Sequence, residues 1–324
     1  MKAAGIITEY NPFHQGHEYH LAKTREVSGA DVIICILSGC FSQRGLPSVL
    51  SLQDKADLAI AHGADLVLQL PAIYAAQSAD YFARYALQSL SVLGVDEIVF
   101  GSETEDLALL EDDTMLPKDP SQSLARRQQA LSPNDILGRQ YIRWCRQLGI
   151  GYRTIRRNEN FISATQSRKN YFAGQPVDHE ALFQPLQRWE SYYPYLRLCL
   201  LMSDPADLSQ LFLVNEGIEN RLIRCAREHE SWSGFLEAAI SKTYSRARIQ
   251  RTCLMILLQV KKEFMARHDS FFYALPVAFN DKGRAWLGSH RSSAICMKYA
   301  QMPDWLKTSL IKEKTLYSII KEKT

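Results

Sequence analysis

Gly5-Ile6-Ile7-Thr8-Glu9-Tyr10-Asn11-Pro12-Phe13-His14-Gln15-Gly16-His17 is the stretch that decides the fold. Ala3 to Thr8 is apolar and β-branched, the pattern of a buried strand, and a helical pattern runs from His17 to Val27. A strand that feeds a helix through a Gly-containing turn places unpaired backbone N–H groups and the positive end of the helix dipole at one spot, which favours phosphate. Gly16 lets a ligand approach the backbone, Pro12 stiffens the loop, and His14 and His17 flank the turn three residues apart. Imidazole N–H groups aimed at charge developing on phosphorus would stabilise a transition state without acting as nucleophiles. His20, one turn on, extends the polar rim. Two other readings compete: a metal site on His14, His17 and His20, which needs more donors than the segment supplies, and a chance pair in a turn. The strand-Gly-helix context favours phosphate, and no metal ligands are assigned.

Outward from this stretch the first half alternates. Asp31 to Leu37, Ala64 to Gln69, Glu97 to Phe100 and Tyr152 to Ile155 read as further buried strands. Leu52 to His62, Ser78 to Leu93 and Asn134 to Leu148 read as helices; in the second of these Phe82, Tyr85, Ala86, Leu90 and Leu93 recur at helical spacing. Such alternation builds a mostly parallel sheet covered by helices, and ligands sit outside the carboxyl ends of its strands. After Ser163 the β pattern stops. Pro185 to Met202, Asp207 to Asn215, Asn220 to Glu228, Trp232 to Lys242 and Ser245 to Phe264 all read as amphipathic helices.

Composition bounds the class. The 324 residues are 46% hydrophobic and 23% charged with a net charge of +3, which excludes a disordered or collagenous chain. The longest apolar runs are strand-length, so no membrane span is expected, and Met1 to Ile7 reads as a strand rather than a signal peptide. Seven cysteines without a C-x-x-C pair point to reduced thiols and a cytoplasmic setting. Cys40, in a polar Gly-containing loop, stands apart from the core positions of the rest. The acidic run Glu103 to Asp113 reads as a solvated loop, and the alternating Lys312, Glu313, Lys314, Lys321, Glu322 and Lys323 as an exposed terminal helix.

The stretch from Gly5 to His17 resembles the His-x-Gly-His signature of the nucleotidyltransferase superfamily. Ile162-Ser163-Ala164-Thr165-Gln166-Ser167-Arg168 resembles its second signature, which closes on the same phosphates. Physically, Ser163 or Thr165 can cap the following helix while Arg168 adds positive charge. Ser38-Gly39-Cys40-Phe41-Ser42-Gln43-Arg44-Gly45 is similar to a segment of the bacterial tRNA(Met) cytidine acetate ligases, and further similarity runs through Gly63 to Val67, Gln77 to Ala83, Phe100 to Glu103, Ser132 to Gly138, Glu216 to Arg221 and Ser241 to Arg251. The likeness covers nearly the whole chain.

This resemblance implies an α/β chain: a Rossmann-like nucleotidyltransferase domain with a mostly parallel sheet over residues 1–175, then an all-α, tRNA-binding domain over 176–324. It implies an ATP-dependent ligase that makes acetyl-adenylate from acetate and acetylates N4 of the wobble cytidine, C34, of elongator tRNA(Met), with ATP and Mg2+ required. The implied catalytic groups are His14, His17 and Arg168. The implied ATP-binding residues are the run Ile7, Thr8, Glu9, Tyr10, Asn11, Pro12, Phe13, His14, Gln15, Gly16, His17, Glu18, Tyr19 and His20, with Gly101, Asn134, Arg157, Asn158, Ser163 and Thr165. Without the resemblance Gly101 is equally a turn glycine, Asn134 a helix cap and Arg157 a surface arginine.

Lys242, Arg246, Arg248 and Arg251, with Tyr244 among them, form the densest cationic patch of the second half. Their spacing alone fits a solvated helix face as well as an RNA backbone; the resemblance favours tRNA. Cys40 stands where the family has Asn, Asn158 where an aliphatic residue is commoner, and Gln69 where Glu is usual; the connection from Ser102 to Ser132 is short. Two rivals share the ATP site: an adenylyltransferase acting on a phosphorylated small molecule, and a nucleotide-dependent RNA-binding protein without catalysis. The large helical half argues against the first, and the intact His14, His17 and Arg168 against the second.

Overall fold

The computed structural model describes residues 1–111, 132–158 and 160–320. In chain order, β1 (Ala3–Thr8), β2 (Val32–Ser38), β3 (Leu66–Leu70), β4 (Glu97–Ser102), β5 (Gly151–Arg156) and β6 (Pro276–Phe279) make one sheet in the order β5-β4-β1-β2-β3-β6. The first five are parallel, as the alternating pattern predicts, but β5, expected as a buried strand, lies at the sheet edge with Ile155 its one buried residue. β2 is buried at all seven positions, the continuous Val/Ile run of a strand covered on both faces. Strand order reverses between β1 and its neighbours β4 and β2, so the crevice for a ligand opens at the end of β1.

Helices α1 (Gln15–Ser28), α2 (Leu52–Ala61), α3 (Ala72–Ala75), α4 (Ala79–Ser91), α5 (Leu107–Glu111) and α6 (Pro133–Leu148) follow the strands. Two apolar clusters lie on opposite sides of the sheet. Tyr10, Phe13, Leu21, Val49 and Ala56 pack with one side, and Phe82, Tyr85, Leu90, Phe100 and Tyr141 with the other. The predicted face of α4 is thus a core face.

Beyond α7 (Ala164–Phe172) the second half is helical: α8 (Trp189–Met202), α9 (Pro205–Ser209), α10 (Ile218–Glu228), α11 (Trp232–Ala239), α12 (Arg246–Leu257), α13 (Lys262–Arg267), α14 (Asp281–Ser289) and α15 (Asp304–Ile319). Three details depart from the sequence pattern. The expected single helix from Ser245 to Phe264 is two, because Gln259 takes a left-handed φ of 52° and the N–H groups of Gln259 and Val260 turn back to the carbonyls of Ile256 and Met255, closing a Schellman cap without glycine. The helix expected over Asp207 to Asn215 ends at Ser209, ahead of Leu213, whose φ is 66°. The β pattern also resumes once. β6 pairs antiparallel with β3, and its initial proline is tolerated because the strand lies at the sheet edge.

Two polar readings are corrected as well. Glu313 on α15 is not part of an exposed strip: it is buried and accepts the backbone N–H groups of Cys40 and Ala72, each at 2.7 Å. Cys40 itself is buried, and its thiol is pushed far above its ordinary range by burial and then by Glu313, so it is an inert core group. Lys321, Glu322, Lys323, Asp112, Asp113 and the middle of the 102–132 connection lie outside the described residues. Among the described residues no helix is long and apolar enough to cross a membrane.

Candidate active site

A cavity of about 490 Å³ opens at the carboxyl ends of β1 and β4. Its floor is the turn before α1. Asn11 locks that turn from both ends of its amide, donating to the carbonyl of Pro47 at 3.1 Å and accepting from Val49 N–H at 2.9 Å. Tyr10, at a left-handed φ of 47°, swings its ring into the core against Phe13 and His17, with centroids 4.8 and 4.6 Å away.

The paired histidines follow from the helix start. His14 caps α1: its Nδ1 accepts Gly16 N–H at 3.0 Å, and His17 Nδ1 accepts His14 N–H at 3.3 Å. A Cβ at residue 16 would stand 2.8 Å from the His14 ring, so this cap requires glycine. With each Nδ1 accepting, each neutral ring carries its hydrogen on Nε2 and can only donate from there. The rings stack with centroids 3.8 Å apart. Burial lowers His14 to about 4, with Arg157 adding to the effect, and it lowers His17 well below the ordinary range, helped by His14 and His20. His20 is lowered too, by burial against a partly offsetting bond to the Val99 carbonyl at 3.0 Å. The site therefore offers neutral donors at physiological pH.

The second signature lands on the same spot. Ser163 caps α7 by accepting Gln166 N–H at 3.2 Å, and Arg168 one turn on donates to the carbonyl of Asn11 and to Thr165 Oγ1 at 3.3 Å. Two segments some 150 residues apart thus meet across one cavity.

On the β4 side, Glu103 organises the wall. It accepts from Asn134 Nδ2 at 2.5 Å, from Arg157 Nη1 at 2.8 Å and from Ser132 Oγ. Burial works to raise its carboxyl, but the donors of Ser132, Arg157 and Asn134 outweigh it and hold it below the usual range. Glu103 is therefore an organiser of Asn134 and Arg157 and not a solvated loop residue. The signal lay in its place one residue past a strand end, which the acidic run masked.

Most of the sequence-predicted residues line the cavity: Ile7, Thr8, Glu9, Tyr10, Asn11, His14, Gly16, His17, Tyr19, His20, Gly101, Asn134, Arg157, Asn158, Ser163, Thr165 and Arg168. Pro12, Phe13, Gln15 and Glu18 do not. Phe13 is core, Gln15 is exposed at the start of α1, and Glu18 faces His62 at 3.4 Å. Ser42, Gln43 and Arg44, from the loop after β2, also line it and carried no assigned role in the sequence.

Of the basic patch, Arg246 is paired with Glu237, and Arg248 lies 3.6 Å from Glu216 and over the Tyr244 ring. Lys242 is exposed. Arg251 differs. A Cβ at Gly45 would lie 3.0 Å from the backbone of Arg251, so α12 packs directly on the loop that carries Arg44 to the cavity. Among the described residues neither the Arg44 nor the Arg251 side chain makes a hydrogen bond or ion pair. Burial, then Arg248, lowers the Arg251 guanidinium to about 10, with Arg44 acting in the same direction and Asp80 against it.

A Mg2+ ion needs oxygen ligands, commonly one or two carboxylates with phosphate oxygens. Among the described residues no group of three His, Cys, Asp or Glu is placed to hold a metal, and Glu9 is the only carboxylate of the lining. Among the described residues the cavity wall thus offers a magnesium ion one carboxylate, Glu9.

A mostly parallel sheet with imidazole donors at the helix start after β1 and an arginine closing from the 163–168 segment defines a nucleotidyltransferase-type enzyme, and the family model described as HIGH Nucleotidyl Transferase matches residues 1–131 and 113–323. The chain is 30% identical to the tRNA(Met) cytidine acetate ligase of Listeria monocytogenes over 99% of its length and 96% of the relative's. It is 32% identical to that of Limosilactobacillus reuteri over 89% and 86%. The Thermotoga maritima TmcAL structure bound with alpha-thio ATP superposes with a TM-score of 0.86 at 28% identity, covering 99% of this chain and 95% of the other. This chain belongs to the tRNA(Met) cytidine acetate ligase family.

Proposed function

We propose that the protein uses ATP and acetate to form acetyl-adenylate and then acetylates N4 of the wobble cytidine, C34, of elongator tRNA(Met). The observation that carries this reading is the near full-length likeness to relatives that bear the activity in their names. The cavity supplies the chemistry. An acetate oxygen attacks the α-phosphorus in line, and the Nε2–H groups of His14 and His17 with the Arg168 guanidinium neutralise the growing negative charge as pyrophosphate leaves. No side chain need become covalently bonded, so positioning and electrostatics do the work. Asn134, Arg157 and the open face of Gly101 hold the rest of the nucleotide on the β4 side, and Mg2+ arrives with the triphosphate.

Residues 1–175 are the ATP-activating part and 176–324 the tRNA-docking part in this reading, with β6 as the strand that the second part lends to the sheet. Arg44 and Arg251, without an ion-pair partner among the described residues and at the junction of the two, are the cations best placed for RNA phosphates, and the base must be splayed out of its loop to reach the cavity. The test incubates the protein with ATP, labelled acetate and tRNA(Met) transcripts carrying C34 or U34. Label should enter the C34 transcript alone; equal labelling of both, or of neither, would sink the reading.

A further inference from the structure

Acetyl transfer to an aromatic amine must dispose of a proton. Cytosine N4 is almost non-basic, and as it bonds to the acetyl carbon its nitrogen becomes cationic and strongly acidic. Building on the acetate-ligase reading, we propose that Glu9 is the group that takes this proton.

The cavity wall leaves few acceptors. The Nδ1 lone pairs of His14 and His17 are occupied by backbone N–H groups at 3.0 and 3.3 Å, so these rings only donate. His20 is turned to the Val99 carbonyl of β4, and burial weakens it as a base. The phenols of Tyr10 and Tyr141 are buried and hold their protons, and the arginines have no lone pair to give. Among the described residues Glu9 is the only carboxylate of the lining.

Its placement suits the task. Gln43 N–H donates to Oε1 at 2.5 Å, while Oε2 has no hydrogen-bond partner among the described residues. Gln43 is itself held by the Gln77 carbonyl at 2.5 Å. The buried Lys55 ties the Glu9 carbonyl at 3.3 Å to those of Ser38 and Gly39 at 2.8 and 2.7 Å. Oε1 of the carboxylate is thereby held by the loop after β2 that also carries Arg44, and its charge reaches the Arg168 guanidinium across the cavity. With Oε1 held by Gln43 and Oε2 unpartnered among the described residues, the carboxylate can accept a hydrogen bond from an incoming amine and then its proton.

In the step so described, N4 forms a bond to the acetyl carbonyl carbon and the carbonyl π pair moves to oxygen. The N–H proton passes to Glu9 Oε2. Collapse restores the carbonyl and breaks the acyl C–O bond, and AMP leaves with that electron pair on its phosphate oxygen. Glu9 then returns the proton to solvent.

Glu9→Gln keeps an acceptor for Gln43 N–H and removes the base. Two rates separate its role: acetate-dependent ATP–pyrophosphate exchange, and single-turnover transfer from pre-formed acetyl-adenylate to a tRNA(Met) transcript. Transfer should fall on the order of a hundredfold or more relative to the change in exchange. Equal losses in both rates would overturn the proposal, as would any loss of transfer well short of about a hundredfold beyond that of exchange, since a general base typically contributes about 10²–10⁴-fold. If Glu9→Gln does not fold, Glu9→Asp, with its carboxylate one methylene short, must show the same selective loss of transfer, and equal losses again overturn it. Wild-type protein that shows no acetate-dependent exchange refutes the acetate reading itself and this proposal with it, a result distinct from either variant outcome.

Discussion

The Glu313 carboxylate, 273 residues along the chain from Cys40, accepts the Cys40 backbone N–H at 2.7 Å with its Oε1 while its Oε2 takes Ala72 N–H at the same distance. The last helix is thereby pinned to the loops after β2 and β3, the first of which runs on to Gln43 and Arg44 at the cavity. Burial raises the Glu313 carboxyl against the pull of these two donors, and Lys55 helps to offset the charge. Glu313→Ala leaves two buried N–H groups without acceptors at about 1–3 kcal/mol each, so the unfolding midpoint should drop clearly in urea. A variant as stable as the wild type would show that the clamp carries no stability.

Glu103 gives a second test, on affinity and not stability. Glu103→Ala frees Asn134 and Arg157 from the carboxylate that aligns them. The KM for ATP in pyrophosphate exchange should rise by about tenfold, the worth of one charge-assisted hydrogen bond of roughly 1.5 kcal/mol. An unchanged KM would take that wall out of nucleotide binding.

β1 to β4 were legible because parallel strands buried on both faces read as short apolar runs rich in β-branched residues, and the start of α1 because His-x-Gly-His sits at a strand-to-helix turn; β5, at the sheet edge, has only Ile155 buried. What escaped the sequence was long-range or unconventional. β6 opens on proline and has four residues, so no alternation marks it. Gln259 ends α12 in a conformation that glycine usually supplies. The burial of Glu313 depends on two loops more than 240 residues away, which no local pattern of Lys and Glu can reveal. Within the site, Glu103 looked like one more charge in an acidic run until Asn134 and Arg157 were seen to converge on it.

The cationic surface divides by pairing. Arg246 has Glu237 and Arg248 has Glu216, whereas the Arg44 and Arg251 side chains have no such partner among the described residues. A cation that releases counterions from RNA phosphate contributes about one unit of phosphate count to the salt slope. Arg44→Ala and Arg251→Ala should each weaken tRNA binding and flatten its salt dependence by about that amount, with Arg246→Ala changing the slope less. Binding isotherms at several salt concentrations decide it; equal slopes for all three variants would place the RNA elsewhere.

The histidines make the fold acid-sensitive in a defined window. His14 titrates near pH 4 in the folded chain and near 6.5 when unfolded. Between these values the unfolded chain binds a proton that the folded chain refuses, so this contribution is present in full above about pH 6.5 and is lost as pH falls towards 4. One such group is worth at most about 3 kcal/mol, and His17 and His20 act in the same direction. His14→Gln removes one titrating ring, so the stability difference between pH 7 and pH 4.5, measured by urea unfolding, should be smaller in the variant than in the wild type. A second consequence concerns activity. Because the free enzyme already holds these imidazoles neutral, kcat/KM for pyrophosphate exchange should show no break near pH 6.5 attributable to them, and its acid limb should lie lower. A clear inflection at 6.5 that disappears in His14→Gln would mean that the ring titrates as if exposed, contrary to its partial burial in the cavity wall.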